Sequence, residues 1–329
     1  MRIARLIALC CAALMTAAAA AQTPVRVILF PGGATAPMWV ATDKGYFAAE
    51  GLAVKLTLTP SSVFLAEALM KGDQDVALAT FDNVVGYQEG QGEVKLSSPP
   101  DFFAFMSVMH GTVHLMANPE IKTIADLKGK SLGVDAVATG YSLAMMKLLQ
   151  SGGLHPGDYI LEPIGNTGQR QKLLLENKTI ATILTTPLDL LPKSRGYREL
   201  ADFGSVVGPY QAIVGFTRHA WAEVNRDTLV RFTRASVAGL DWLLDPANQV
   251  EAVALYRKHL PDVPEAAAVA AVKAMTGDRD SFSKGGRFDM PGVENVLKLR
   301  SEFGRPQKNL TDPSRYLDAT YLRAATAPR

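Results

Sequence analysis

VRVILFPGGATAPMWVATDKGYFAAEGLAVKLTL, residues 25–58, is the stretch on which the fold turns. Val25 to Phe30 is a short apolar run rich in β-branched residues, which predicts a strand, and Pro31-Gly32-Gly33 breaks it. Pro37 to Ala49 then predicts a helix, Gly51 ends it, and Ala53 to Leu58 predicts a second strand. Strand, helix and strand in so short a span make a βαβ unit, the building block of a parallel sheet covered by its crossover helices.

The same alternation continues along the chain. Ser61 or Ser62 caps a helix whose Leu65 and Leu69 share one face, with Lys71 in its last turn and Gly72 just beyond it. Val76 to Thr80 predicts a third strand, and Phe102 to Met109 with Val113 to Asn118 predict a long extended stretch interrupted at Gly111. After Asn118-Pro119 a second set begins: strand Ser131 to Ala136, helix Gly140 to Ser151 stopped by Gly152-Gly153, then strands Tyr159 to Ile164 and Ile180 to Thr185 around a helix over Gly168 to Asn177. Tyr210 to Thr217 is again extended. Beyond it the pattern is helical, with Leu229, Phe232, Ser236, Val237, Leu240 and Leu244 in one stripe and Asp245-Pro246 opening the next helix.

The extended stretches near residues 105–118 and 210–218 bracket the second set. The chain is therefore expected to cross from one lobe to another and return. The predicted fold class is α/β, with two Rossmann-like lobes joined by two hinge strands. Residues 22–112 and 212–329 form lobe I, residues 113–211 form lobe II, and the helical C-terminal region packs on lobe I. Two lobes tethered by two strands can rotate about the joint, so hinge closure around a ligand is the natural motion.

Residues 1–21, MRIARLIALCCAALMTAAAAA, read as a secretory signal peptide: Arg2 and Arg5, an apolar core from Leu6 to Met15, and small residues before Gln22. This run is too short to span a bilayer, which needs about 20 apolar residues, and no later stretch approaches that. The expected location is the periplasm, cleaved near Ala21 and not membrane-embedded. Both cysteines, Cys10 and Cys11, fall inside the signal, so the product carries no thiol. Leu9 before Cys10 and the short apolar lead weigh against a lipid anchor. Cleavage removes two basic residues and no acidic one, leaving 32 of each. That balance, with no Lys/Arg-rich segment, gives no support to a nucleic-acid or membrane-surface partner, and none is expected. With roughly 300 residues remaining and 48% of the chain apolar, there is material for two cores.

Asp43 to Leu52, DKGYFAAEGL, resembles a block of the periplasmic substrate-binding proteins that serve nitrate/sulfonate/taurine-type ABC importers. Ile121 to Val134 (IKTIADLKGKSLGV), Leu154 to Asp158 and Asp241 to Pro246 (DWLLDP) resemble later segments of that family, and of its thiamine-pyrimidine-precursor binders. The resemblance implies a type II periplasmic binding protein fold, a ligand held between the lobes, and delivery to an inner-membrane permease by a monomer. Where members carry an acidic GxxDA strand followed by Glu-Pro, this chain has Asn177-Lys178-Thr179-Ile180-Ala181 and Thr185-Thr186-Pro187.

In open α/β sheets ligands bind beyond the carboxyl ends of the strands. The turns after four predicted strands give the candidate ligand-binding residues: Gly33, Ala34, Thr35, Met38 and Trp39; Thr80, Phe81, Asp82 and Asn83; Thr139, Gly140, Tyr141 and Ser142; Thr186, Pro187 and Asp189. None of these turns holds Lys or Arg, so a charged oxyanion would rely on backbone N–H groups at helix starts. Asp82 and Asp189, with Trp39, Phe81, Tyr141 and Tyr210, suit an amine or a flat nitrogen heterocycle, which together with a sulfonate or taurine forms the expected ligand set. Plainer roles stand beside these: Asp82, Asn83, Asp189 and Thr139 as helix caps, and Trp39 as core.

Catalysis finds little support. His110 and His114 could share a strand face, but no neighbouring carboxylate or cysteine in sequence completes a metal set. Gly129-Lys130-Ser131 lacks the upstream glycine of a phosphate loop and precedes a strand. Porphobilinogen deaminase shares the two-lobed fold, yet its cofactor needs a cysteine. The expectation is a binding protein without cofactor or metal; a ligand sensor for a membrane receptor is the alternative, and a two-lobed enzyme of deaminase-like fold stands behind both.

Overall fold

The computed structural model describes residues 21–111, 113–277 and 281–328; the signal reading at residues 1–21 lies, apart from Ala21, outside them. Among the described residues ten strands fall into two five-stranded sheets. The first contains β1 (Thr23–Leu29), β2 (Leu52–Leu58), β3 (Val76–Thr80), β4 (Phe102–Met109) and β10 (Ile213–Arg218), in the order β2-β1-β3-β10-β4. The second contains β5 (Val113–Ala117), β6 (Ser131–Val134), β7 (Ile160–Pro163), β8 (Ala181–Thr185) and β9 (Arg198–Asp202), in the order β7-β6-β8-β5-β9.

The two sheets follow one plan. β1 runs parallel to β2 and β3, and β6 parallel to β7 and β8, as crossover helices require. β10 and β5 arrive by direct passage from the other sheet, and each inserts antiparallel, β10 between β3 and β4, β5 between β8 and β9. The chain thus passes between the sheets twice. β3, β4 and β5 are buried along their whole length, which explains their unbroken apolar character in sequence.

Two differences from the sequence expectation have local causes. The helix expected over Pro37 to Ala49 is broken into Ala36–Asp43 and Tyr46–Ala49 by Gly45, whose φ of 75° lies in the left-handed region that ends a helix. β9 was not expected at all: Arg198-Glu199-Leu200-Ala201-Asp202 is a polar edge strand, paired only with β5, and carries no apolar alternation.

Elsewhere the local signals hold. Ser61 Oγ accepts from Phe64 N (3.2 Å) at the start of helix Ser62–Lys71, and Gly72 closes it with φ 75°. Helix Arg226–Leu244 buries Leu229, Phe232, Ser236 and Leu240 completely. It packs against Ala36–Asp43 in the core between the first sheet and the C-terminal helices. A second core runs continuously through both sheets, joining Ala77 and Phe102 to Leu115, Leu132 and Leu148. The C-terminal helix Met290–Phe303 lies against Phe81–Gln88 and also reaches Gly140–Ser151 of the second set, where Lys147 bonds Glu302 (2.9 Å). Among the described residues no helix is long and apolar enough to cross a membrane.

Candidate functional site

The carboxyl ends of β1, β3, β6, β7 and β8 open onto one cleft between the sheets, with a cavity of about 100 Å³. Half of the residues expected from sequence line it: Gly33 and Ala34 after β1, Thr80 and Asn83 where β3 enters helix Phe81–Gln88, Thr139 and Tyr141 at the start of Gly140–Ser151, and Thr186 and Pro187 after β8. The Asn83 side-chain amide donates to Thr80 Oγ1 (2.9 Å), which fixes both polar groups at the wall.

The other half lie elsewhere. Met38 and Phe81 are fully buried core residues, and Thr35 spends its hydroxyl on Phe30 O (3.0 Å). Trp39 stacks on His259 at 4.8 Å and meets Tyr256 edge-on at 6.0 Å, away from the cleft. Ser142 Oγ donates to Ala136 O (2.5 Å), holding the turn after β6 rather than facing a solute. Thr139 donates to the same carbonyl (3.0 Å) and does not cap its helix. Gly140 makes no room for a ligand: a Cβ there would collide with the Asp82 side chain and approach the Tyr210 hydroxyl to 2.6 Å, so its small size lets the two halves meet.

The two carboxylates expected to attract a cation are already neutralised. Asp82 is 1% exposed and makes a two-pronged ion pair with Arg300, Nε to Oδ1 and Nη2 to Oδ2 both at 2.5 Å. Its helix carries no side-chain cap bond, so Asp82 is not a helix cap. Asp189 is equally buried, bonds Lys193 Nζ at 2.6 Å, and gives its helix no side-chain cap bond. Tyr210 sits beside Asp82 with its hydroxyl unpartnered, and burial, reinforced by the Asp82 charge, pushes its phenol well above the usual range.

Sequence reasoning missed the charged groups that do reach the cleft. Arg170, in helix Thr167–Leu175 after β7, is 1% exposed yet lines the cavity. Its guanidinium donates to Gly165 O (2.8 Å), Thr167 Oγ1 (3.1 Å) and Ile183 O (3.2 and 3.3 Å), all neutral acceptors. Burial pushes Arg170 down to about 10 against the opposing pull of Asp135 and Tyr141, so it stays cationic at neutral pH. Asp135, directly after β6, also lines the cleft; Oδ2 accepts the Ser62 hydroxyl (2.5 Å), while Oδ1 is buried with no hydrogen-bond partner. The turn after β7 was not among those read from sequence. Asn166 and Gln169 form a capping box that marks this helix start, which places Arg170 one turn inside it.

Several of these bonds cross between the halves. Besides Ser62–Asp135, both peptide groups of Ala138 bond the first-sheet side, N–H to Glu93 Oε2 (2.7 Å) and C=O from Arg300 Nη2 (2.8 Å). The structure is closed around its cleft.

His114 also gains partners invisible in sequence. Its ring faces Glu199 Oε1 at 3.4 Å and Asp189 Oδ2 at 3.8 Å, correcting the view that no carboxylate approaches it. The Lys193 ammonium joins the same two carboxylates, standing where a cation shared by them would sit. The His114 hydrogen bond foremost, with Lys193, outweighs burial and holds the Glu199 carboxyl down to about 2.

A family model described as NMT1/THI5 like matches residues 34–249. The riboflavin-binding protein RibY of Chloroflexus aurantiacus is 25% identical over 252 residues, covering 73% of this chain and 67% of that protein. The periplasmic nitrate-binding protein NrtA of Synechocystis PCC 6803 superposes with a TM-score of 0.76 at 15% identity, covering 92% and 88% of the two chains. The periplasmic aliphatic sulphonate-binding protein SsuA of Escherichia coli superposes at 0.62 with 17% identity over 91% and 99%.

Proposed function

Because the chain belongs to the NMT1/THI5-like family and has the fold of periplasmic solute-binding proteins, we propose that it captures a small polar solute in the cleft and hands it to the permease of an ABC importer. In this reading residues 22–112 and 212–329 move as one lobe and 113–211 as the other, and the protein works as a periplasmic monomer after removal of residues 1–21. The observation that carries it is the cleft itself: a partly enclosed space at the carboxyl ends of strands from both sheets. Its size, about 100 Å³, is below the roughly 150 Å³ that holds one benzene ring, so the occupant of this closed form is compact. A sulfonate or taurine meets that description; a nitrogen heterocycle of benzene's size needs the cleft to be wider. The fold neighbours and the family favour binding over turnover.

The test is solution scattering with thermal melting of the mature chain against nitrate, alkanesulfonates, amino acids and pyrimidines. One class is expected to raise the melting temperature and contract the molecule together. Stabilisation with no contraction at saturation would refute hinge closure, and no response to any class would refute solute capture.

A further inference from the structure

Two charges of opposite sign face the cleft from the second half, and neither is neutralised in contact. The Arg170 guanidinium is buried against three neutral acceptors. The Asp135 carboxylate has one oxygen bonded to Ser62 and one buried oxygen bonded to nothing. The two charges attract each other but share no hydrogen bond, so a ligand group on either one lowers the cost of burying it. The competing carboxylates are excluded, since Asp82 and Asp189 hold Arg300 and Lys193. His110 is the other titratable group at the wall besides Tyr141.

Resting on the solute-binding reading, we propose that Arg170 and Asp135 form a two-ended selector for a compact solute that carries both an acid group and an N–H donor. The acid faces the guanidinium and the donor satisfies the free Asp135 oxygen. The two protein charges sum to zero, so a dipolar solute leaves the closed site balanced, whereas a plain anion or a plain amine leaves one end uncompensated. Ser62 comes from the first-sheet side, so its bond to Asp135 forms only when the halves meet, and closure itself orients the carboxylate for the donor.

Calorimetry on the intact mature protein tests this with matched probes: taurine and β-alanine as the two-ended solutes, ethanesulfonate and propionate lacking the amine, ethylammonium lacking the acid. The two-ended probe of the preferred acid type is expected to bind about ten to a hundred times tighter than its truncated analogue, the worth of one charge-assisted hydrogen bond. Asp135→Asn should bring that ratio close to one, weakening the two-ended probe and strengthening the plain acid, which then leaves no carboxylate uncompensated. Arg170→Lys should weaken acid-bearing probes and, by keeping the charge, guard against a merely unfolded variant. Equal binding of ethanesulfonate and taurine, or of propionate and β-alanine, would overturn the proposal, as would an unchanged ratio in Asp135→Asn. If no two-ended probe binds but a heterocycle or nitrate contracts the molecule, the selector is refuted and solute capture stands.

Discussion

Charges at single positions carry much of the stability and of the sensitivity to pH. The Asp82–Arg300 pair is 2% exposed on both side chains, and removing one partner strands the other in the interior. Asp82→Asn is expected to cost about 3–5 kcal/mol in chemical denaturation, whereas the paired replacement Asp82→Asn with Arg300→Met should recover much of it. A single variant as stable as the wild type would contradict this role. Glu199 sets an acid limit. Its carboxyl is held at about 2 in the folded protein, below the ordinary 4.5, because His114 and Lys193 bond its charged form. A depressed carboxylate contributes stability that is complete above the unfolded value and lost as pH falls toward the folded one. Melting temperature should therefore fall between about pH 4.5 and 2, and Glu199→Gln should lower the melting point at neutral pH and flatten that slope; parallel curves would remove Glu199 as the cause.

At the scale of elements, the turn after β6 is the docking surface between the halves. Gly140 is there because Asp82 and Tyr210 leave no space for a Cβ. Gly140→Ala, a substitution that helps an isolated helix, is expected to wedge the halves apart: scattering should report a larger radius and calorimetry an affinity lower by about ten-fold or more. Unaltered affinity would mean the turn yields. Asn166→Ala should cost about 1 kcal/mol through loss of the capping box, and would also loosen the turn that carries Arg170.

These elements mark what a linear reading can reach. Caps and breakers are local, so Ser61, Gly72 and Gly140–Ser151 stand where sequence puts them. The partner of Asp82 lies 218 positions away, and no local signal announces it. Arg170 was hidden differently: the strand Tyr159 to Ile164 and a helix from Gly168 were expected, but the turn between them was not counted among the site loops. β9 was hidden by polarity, since an edge strand needs no apolar face of its own.

At the scale of the whole molecule, polar bonds around the mouth, from Ser62 to Asp135, Glu93 to Ala138 and Arg300 to Ala138, join the halves in addition to the apolar core that runs through both sheets. Each of these bonds has a charged partner and is worth about 1.5–3 kcal/mol. Ser62→Ala with Glu93→Gln should expand the ligand-free protein in scattering while leaving both sheets intact by circular dichroism; an unexpanded double variant would place the control of closure elsewhere.

The position of β10 between β3 and β4 has a consequence for how the molecule comes into being. A ribosome that has made everything up to Met109 has produced four of the first sheet's strands but not the one that stitches the fourth to the third. That gap persists through the whole of the second sheet and closes only when Ile213 to Arg218 emerges. Completion of the first sheet is thereby deferred until about two thirds of the chain has been made, and its pairing of β10 with β3 and β4 closes a long loop.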